Sequence, residues 1–264
     1  MTEKTMEKID ILPFRGCKFL CGEVNKIELA IRKGRNWRGH YRYDAANFSL
    51  IEYLVSHGDI CFDIGANIGV YSNVLARISG DSGNIHSFEP VEHIFKKFKL
   101  NSSINGHHAV NANQLALGNE ISKMEMYQIK PGLQRAGTSS FQINDNFEEI
   151  GIDNFDKVEV DIDTLDHYVE SKKISRVDFI KIDVEGFEAN VISGGQNTLE
   201  QYSPKIVIEL DFVRHPKSDV DTLKSIFDRL DYTAFEYTFK KGKLSMTRYN
   251  FQDTPKGRNL LLMR

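Results

Sequence analysis

The chain has 264 residues, of which 41% are hydrophobic and 27% charged, and its formal net charge at pH 7 is -3. These values are typical of a globular protein with one large domain and give no global reason to expect nucleic-acid binding. The three cysteines argue against a disulfide framework. No apolar run approaches the roughly 20 residues that a membrane helix needs, and nothing resembles a signal peptide, so we expect a cytoplasmic protein.

Residues 1–45 lack a long periodic pattern, and we expect them to form an N-terminal extension ahead of a domain at residues 46–264. Basic and aromatic residues interleave in the second half of this extension, at Arg32, Lys33, Arg35, Trp37, Arg38, His40, Tyr41, Arg42 and Tyr43. Two interpretations stay open. The segment is either a solvated extension whose aromatic side chains pack on the main domain, or a cap that meets an anionic or sugar-like substrate.

Strand and helix signals alternate along the rest of the chain. Residues 59–64, 83–89 and 109–117 have the pattern of buried strands, and amphipathic helices follow the first two. The alternation pauses over an expected excursion at residues 123–162, which has strand-like ends and a polar middle.

Five further strand-like segments follow the excursion, at residues 177–183, 205–210, 234–239, 244–249 and 259–263. The third and fourth flank Lys241-Gly242 and are typical of a hairpin. Strands that alternate with helices imply an α/β fold, in which a Rossmann-like, doubly wound and mostly parallel sheet is covered on both faces.

The first strand of this sheet ends in a glycine-containing turn with Asp63, Gly65, Asn67 and Gly69. Ligands of open parallel sheets bind beyond the carboxyl ends of the strands, and glycines there allow the backbone to approach a ligand closely. The second strand ends at Glu89. Its carboxylate is placed to accept hydrogen bonds from both hydroxyls of a ribose.

The acid in the glycine turn distinguishes between possible ligands. Asp63 would repel a pyrophosphate, but it would attract the ammonium group of an amino acid. Glu89 favours a ribose without a phosphate. S-adenosylmethionine therefore fits the turn better than NAD does.

Several short motifs extend this pattern: Asp63-Ile-Gly-Ala-Asn-Ile-Gly69, Phe88-Glu-Pro90, Ala116-Leu-Gly118, Thr138-Ser-Ser140, Thr164-Leu-Asp166 and Asp178-Phe-Ile-Lys-Ile-Asp-Val-Glu-Gly-Phe-Glu188. From about residue 58 to the C-terminus, the chain resembles the FkbM-type methyltransferases within the class I S-adenosylmethionine-dependent enzymes. The resemblance implies a seven-stranded sheet with an antiparallel last strand, and methyl transfer, usually to oxygen.

The resemblance also implies roles for individual positions. Asp63, Gly65, Asn67 and Gly69 would line the methionine end of S-adenosylmethionine, and Glu89 would hold its ribose. The end of the third strand would approach the adenine, through Asn113, Ala116 and Leu117.

A dense set of charged residues surrounds the end of the strand at 177–183. Lys181 and Asp183 share one face of that strand, Glu185 lies in the next turn, and Glu188 begins a helix. Asp183 is expected to face the cleft, where it would contact the cofactor and, with Glu185, take part in proton transfer. Lys181 is either catalytic or part of a buried ion pair, and Glu188 is either functional or only favourable charge at a helix N-terminus.

The next strand adds a second acidic end with Glu209 and Asp211. Glu209 is a further catalytic candidate. Carboxylates at adjacent strand ends could hold Mg²⁺, as in catechol-type O-methyltransferases, but the motifs of those enzymes are missing, so a metal is possible and not expected. His215 follows the same edge and is a weaker candidate for a base.

The leading hypothesis is a methyltransferase that uses S-adenosylmethionine to modify a hydroxyl of a sugar, glycan or secondary metabolite. An N-methyltransferase acting on an amino sugar is a close alternative. An NAD-dependent oxidoreductase and a non-catalytic binding module are alternatives of other classes.

Overall fold

The computed structural model describes residues 9–22, 26–34, 44–130, 141, 151–210, 216–240, 243–251 and 258–264. The strands are β1 Asp10–Phe14, β2 Cys17–Cys21, β3 Ile60–Ile64, β4 Asn84–Phe88, β5 Val110–Asn113, β6 Ala116–Gly118, β7 Ser122–Ile129, β8 Phe155–Thr164, β9 Phe179–Ile182, β10 Lys205–Leu210, β11 Thr233–Lys240, β12 Lys243–Arg248 and β13 Arg258–Met263. The α-helices are α1 Lys26–Arg32, α2 Ala45–Leu54, α3 Val70–Ser79, α4 Glu92–Asn105, α5 Leu165–Ser171, α6 Glu188–Ser193, α7 Gln196–Tyr202 and α8 Lys217–Arg229.

A large mixed sheet organises the domain. Within the described part of the chain it has eight strands in the order β12-β11-β13-β10-β9-β3-β4-β5. The five strands from β10 to β5 are parallel, and β13 pairs antiparallel with both β10 and β11. The mostly parallel α/β sheet predicted from the alternation is confirmed. The sheet has one strand more than the seven implied by the resemblance, because β12 pairs with β11 at its edge as a hairpin.

The predicted third strand is two strands in the structure. Its first part is β5, which pairs with β4 at the edge of the large sheet, and its second part is β6, which pairs with β8 in a separate sheet. The chain leaves the large sheet after Asn113, whose side chain donates hydrogen bonds to the carbonyls of Ser87 and Asn111. A single apolar pattern could not show this change of sheet.

The excursion begins and ends with strands that pair with each other. β7 and β8 form an antiparallel ladder from Ser122 paired with Ile162 to Ile129 paired with Phe155, and together with β6 they make the small sheet. Most of the polar middle, including residues 137–140, lies outside the described residues.

The N-terminal extension contains a β-hairpin that packs on α4. The Asn105 side chain accepts a hydrogen bond from the Lys18 amide at 2.7 Å and donates one to the Lys18 carbonyl at 2.7 Å. One turn earlier, Asn101 accepts from the Leu20 amide and donates to the Ile68 carbonyl. The hairpin is therefore tied through α4 to the glycine turn. Of the interleaved basic and aromatic residues, those from Arg35 to Tyr43 lie outside the described residues.

Hydrophobic cores cover both faces of the large sheet. Alternate residues of its central strands point to opposite faces, as the twofold period of a strand requires. Cys61 and Phe179 belong to the core on the side of the hairpin and α3, whereas Phe62 and Ile180 belong to the core beneath α5 to α8. Among the helices that the structure describes, none is both long and apolar enough to cross a membrane.

Candidate active site

The glycine turn between β3 and α3 lies against the end of β9. Gly65 has a φ of +82°, and a Cβ atom on it would lie 1.9 Å from the Asp183 carbonyl oxygen. Gly69 has a φ of +83°, and a Cβ atom there would lie 2.1 Å from the Phe98 ring of α4. Both glycines therefore permit close packing in a backbone conformation that other residues rarely adopt.

An open cleft of about 530 Å³ begins at this turn. Seven of the residues for which the sequence predicts a catalytic or cofactor-binding role line it, namely Gly65, Asn67, Glu89, Ala116, Leu117, Asp183 and Glu185. The structure thus brings the ends of β3, β4 and β9 together with β6. Apolar side chains complete the walls, and among them Phe141 packs on Phe187 with ring centroids 4.4 Å apart.

Glu89 is buried at the end of β4, and each of its carboxylate oxygens accepts a hydrogen bond from a backbone amide. One oxygen accepts from the Asn67 amide at 3.0 Å and the other from the Val91 amide at 2.9 Å. Burial raises the pKa of Glu89 to about 7, although these two hydrogen bonds oppose the shift. Each oxygen retains a lone pair, so the carboxylate can accept further hydrogen bonds from a ligand.

Asp63 lies behind the cleft and is fully buried. One of its oxygens accepts a hydrogen bond from the Ser72 hydroxyl at 2.5 Å, and the other lies 3.7 Å from the Lys181 ammonium nitrogen. Burial raises the pKa of Asp63, and Lys181 opposes that shift. Its carboxylate therefore lies among the buried groups beneath the glycine turn. Asp63 is not one of the residues that line the cleft.

Lys181 lies between the buried Asp63 and Asp183, which lines the cleft. Its ammonium nitrogen lies 3.1 Å from an Asp183 oxygen and 4.6 Å from the centre of the Tyr71 ring. Burial opposes the charge of Lys181, but Asp183 and Asp63 outweigh burial, so its pKa is raised. A lysine that remains protonated cannot act as a general base, whereas it can hold Asp183 in place.

The turn after β9 carries Glu185 in a strained conformation. Glu185 has a φ of 56°, which costs a residue with a side chain about 1–2 kcal/mol. The buried Glu188 carboxylate stabilises this turn, because it accepts hydrogen bonds from the Val184 and Gly186 amides, both at 3.0 Å. Glu188 therefore positions Glu185 at the cleft wall.

Glu209 lies on β10 beside Asp183. Its pKa is raised to about 8, first by the negative charge of Asp183 and then by burial. The carboxyl group therefore titrates near neutral pH, where a group can both accept and release a proton.

The comparisons with known proteins identify the family of this chain. The family model described as the methyltransferase FkbM domain matches residues 63–239, which include the glycine turn, Glu89, Asp183 and Glu209. The chain belongs to the FkbM methyltransferase family.

Three proteins similar to this FkbM methyltransferase share 27%, 15% and 11% sequence identity with it. The protein called methyltransferase 1 from Beauveria bassiana (strain ARSEF 2860) is 27% identical over 195 residues, which cover 70% of this chain and 74% of the relative. Among solved structures, the methyltransferase FkbM from Methylobacillus flagellatus KT is 15% identical with a TM-score of 0.48; the match covers 78% of this chain and 43% of the other, so it spans less than half of that protein. A putative rRNA-methylase from Clostridium thermocellum is 11% identical with a TM-score of 0.47, covering 82% of this chain and 92% of the other.

Besides Asp63, two further cofactor candidates of this FkbM methyltransferase, Gly69 and Asn113, are not among the residues that line the cleft. Gly69 begins α3 and packs on α4, as described above. Asn113 fixes the end of β5 and accepts a hydrogen bond at 3.3 Å from the Tyr168 hydroxyl, which also contacts His86. Burial lowers the pKa of His86 to about 4, so this network beneath the cleft is neutral.

Sequence reasoning missed Asp44, which lies at the start of α2 in a left-handed conformation. The Tyr71 hydroxyl donates a hydrogen bond to its carboxylate, and Tyr71 in turn lies beside Lys181. Burial raises the pKa of Asp44, and Asp183 contributes to the shift. No local pattern distinguishes this aspartate, because its partners are distant in the chain.

Asp183, Glu185 and Glu209 lie at the ends of adjacent strands and form what we call the acidic edge, where the sequence left a Mg²⁺ site possible. Within the part of the chain that the structure describes, no group of three or more His, Cys, Asp or Glu side chains has an arrangement that could hold a metal ion. Asp211 and His215 lie outside the described residues. Between Asp63 and Asp183, the positive charge is supplied by Lys181.

Proposed function

We propose that this protein transfers a methyl group from S-adenosylmethionine to a hydroxyl of a sugar, glycan or secondary metabolite. The observation that carries the proposal is Glu89. Its carboxylate is buried, oriented by two backbone amides and placed at the edge of a cleft whose floor is the Gly65 turn. A preorganised carboxylate at this point suits the two hydroxyls of a ribose.

The rest of the cleft fits the same donor. The apolar side chains of Phe88, Leu115 and Leu117 provide surfaces on which an adenine would pack. Asp183 and Glu185 lie at the acidic end, where the positively charged methionine part would be attracted. When bound, S-adenosylmethionine supplies a methyl group on a positively charged sulfur, which is an electrophile.

The carboxylates of the acidic edge would take the proton from the acceptor hydroxyl. An aliphatic hydroxyl is a poor nucleophile at neutral pH, so a nearby base has to take its proton. Asp183 is held by Lys181 at the cleft, and Glu209 beside it titrates near neutrality. We assign the proton transfer to this pair of carboxylates, with Lys181 and Glu188 as positioning residues.

Calorimetric titration with S-adenosylhomocysteine and, separately, with NAD tests the donor assignment. We expect S-adenosylhomocysteine to bind and Glu89→Ala to weaken its binding by about 1–3 kcal/mol, the cost of losing charged hydrogen bonds. Glu159→Ala, on the exposed face of β8, is the matched control and should bind as the unmodified protein does. Binding of NAD without S-adenosylhomocysteine would overturn the proposal, and an unchanged affinity in Glu89→Ala would show that the ribose lies elsewhere.

A further inference from the structure

A second cavity lies beside the acidic edge, between the start of α2 and the strands β11 to β13. It is open to solvent, and the space between its walls, about 860 Å³, is larger than that of the first cleft. Of the described residues that line it, all but Ala46 carry a polar group; they include the acids Asp44 and Glu236, the amides Asn47 and Asn259, and the hydroxyls Thr238 and Ser245. Thr238 and Ser245 are opposite each other in the β11–β12 ladder.

A row of side chains connects this cavity with the donor cleft. The register of β10 with β13 pairs Glu209 with Asn259. The registers of the adjacent strand pairs, continued by one residue, place Asp183 beside Glu209 and Tyr237 beside Asn259. Neighbouring residues in a sheet share a face, so these four polar side chains cross the sheet from the cleft to the second cavity.

The pKa shifts of the titratable groups in the row are consistent with these strand registers. Asp183 is the main cause of the raised pKa of Glu209. Burial raises the pKa of Tyr237, and Asp44 and Glu209 raise it further. The Tyr237 hydroxyl also donates a hydrogen bond to the Asn47 side chain, so both walls of the cavity are joined at this tyrosine.

We infer that this cavity binds the methyl acceptor and that it accepts an uncharged or amine-bearing polyhydroxylated molecule. The inference rests on the proposed function, because it assigns the acceptor of the same reaction. An acceptor in the cavity would extend along the row, so that one hydroxyl meets the Asp183–Glu209 pair at the donor cleft. That placement explains why the acidic pair lies between the two spaces.

The composition of the lining determines the class of acceptor. Amide and hydroxyl groups both donate and accept hydrogen bonds, as sugar hydroxyls do. The acidic side chains of Asp44 and Glu236 oppose a phosphate or a carboxylate and favour an amine. None of the described residues that line the cavity is a lysine or arginine that would bind an anion.

Ligand-observed NMR with three probes on one sugar frame tests this inference without any turnover. Glucose, glucosamine and glucose 6-phosphate are titrated into the protein in the presence of saturating S-adenosylhomocysteine. We expect glucose to bind, glucosamine to bind at least as tightly, and glucose 6-phosphate to bind about tenfold more weakly. Equal or tighter binding of the phosphate ester, or no binding of any probe, would overturn the inference.

Variants locate the bound sugar. Thr238→Val combined with Ser245→Ala removes two hydroxyls from the cavity and should weaken glucose binding about tenfold. Thr222→Val, on the exposed side of α8, is the control and should bind glucose normally. Glu236→Gln should reduce the difference between the affinities for glucose and for glucose 6-phosphate, because it removes a negative charge from the cavity. If the double variant keeps the full affinity for glucose, the sugar binds elsewhere and the inference fails.

The affinity for S-adenosylhomocysteine, measured on each variant, separates the two proposals. A cavity variant that has a reduced affinity for glucose but binds S-adenosylhomocysteine normally is folded and supports the inference. If S-adenosylhomocysteine does not bind the unmodified protein, the proposed methyl donor is wrong, whether or not the sugars bind.

Discussion

The ammonium nitrogen of Lys181 lies 3.1 Å from a carboxylate oxygen of Asp183, at the point where the buried support of the glycine turn meets the open cleft. The same nitrogen lies 3.7 Å from the fully buried Asp63 carboxylate. One lysine therefore compensates an interior charge and orients a carboxylate at the site. A positive charge in this place is required by the fold before any ligand binds, because an isolated buried carboxylate is costly.

Lys181→Met should destabilise the protein by about 3–5 kcal/mol, because it leaves Asp63 buried without its counter-charge. Chemical denaturation measures the loss. Lys123→Met, at an exposed position of β7, should change the free energy of unfolding little. Adding Asp63→Asn to Lys181→Met should restore part of the stability, and purely additive losses in the double variant would contradict the pairing.

The affinity for S-adenosylhomocysteine should rise with pH across neutrality, since only the ionised form of Glu89 accepts both ribose hydrogen bonds. The pKa of Glu89 is raised from its ordinary value of 4.5 to about 7, so below pH 7 the carboxyl must release its proton when the ligand binds. The expected slope there approaches tenfold in affinity for each pH unit, and it should flatten above the pKa. In Glu89→Gln the affinity should be lower and this slope should be absent.

The same shift has a consequence for the ligand-free protein. A carboxyl whose pKa is higher in the folded than in the unfolded state stabilises the fold while it is protonated. Its contribution is therefore complete below pH 4.5 and is lost as the pH rises to about 7 and above. Denaturation curves of the unmodified protein and Glu89→Gln should separate progressively over this range, with the variant less sensitive to pH.

Gly65→Ala should destabilise the protein by about 1–3 kcal/mol more than Gly106→Ala does, through overpacking. Both glycines have a positive φ, of +82° and +66°, so the conformational cost is similar at the two positions. Only Gly65 would place its Cβ against the Asp183 carbonyl, whereas a Cβ on Gly106 meets nothing within 4 Å. Equal losses of stability would show that the close approach of the turn to β9 is not required.

Millimolar MgCl₂ should leave the melting temperature unchanged relative to NaCl of equal ionic strength. Lys181 already supplies a positive charge next to Asp183, and an ion that bound the folded state would raise the melting temperature. Differential scanning fluorimetry, with and without EDTA, measures this. A shift that is specific to Mg²⁺ and absent in Asp183→Asn would establish a metal site and contradict the expectation.

Much of the cleft beside the glycine turn could be predicted from local sequence. Gly65, Asn67 and Glu89 follow strands whose patterns are plain, and the carboxyl ends of parallel strands meet at one edge. Asp183 is predictable for the same reason. The role of Asp63 was less accessible, because its strand position fixes its face but does not show how deeply the side chain is buried or that Lys181 is its partner.

The proposed acceptor cavity shows the limit of sequence reasoning more sharply. Tyr237 and Asn47 are hydrogen-bonded although they are 190 positions apart, and Asp44 reaches Tyr71 across 27. No periodic pattern encodes such pairs, since they depend on how α2 packs against β11 and α3.

The sequence by itself determined the α/β class, the family, the glycine turn and the acids at the strand ends, because strand periodicity and turn chemistry are local properties. Only the tertiary structure decided that β5 and β6 belong to different sheets, that Lys181 neutralises Asp63, and that Asp44 and Tyr237 lie beside the acidic edge. Those outcomes depend on strand order, register and burial, which arise from contacts between distant segments.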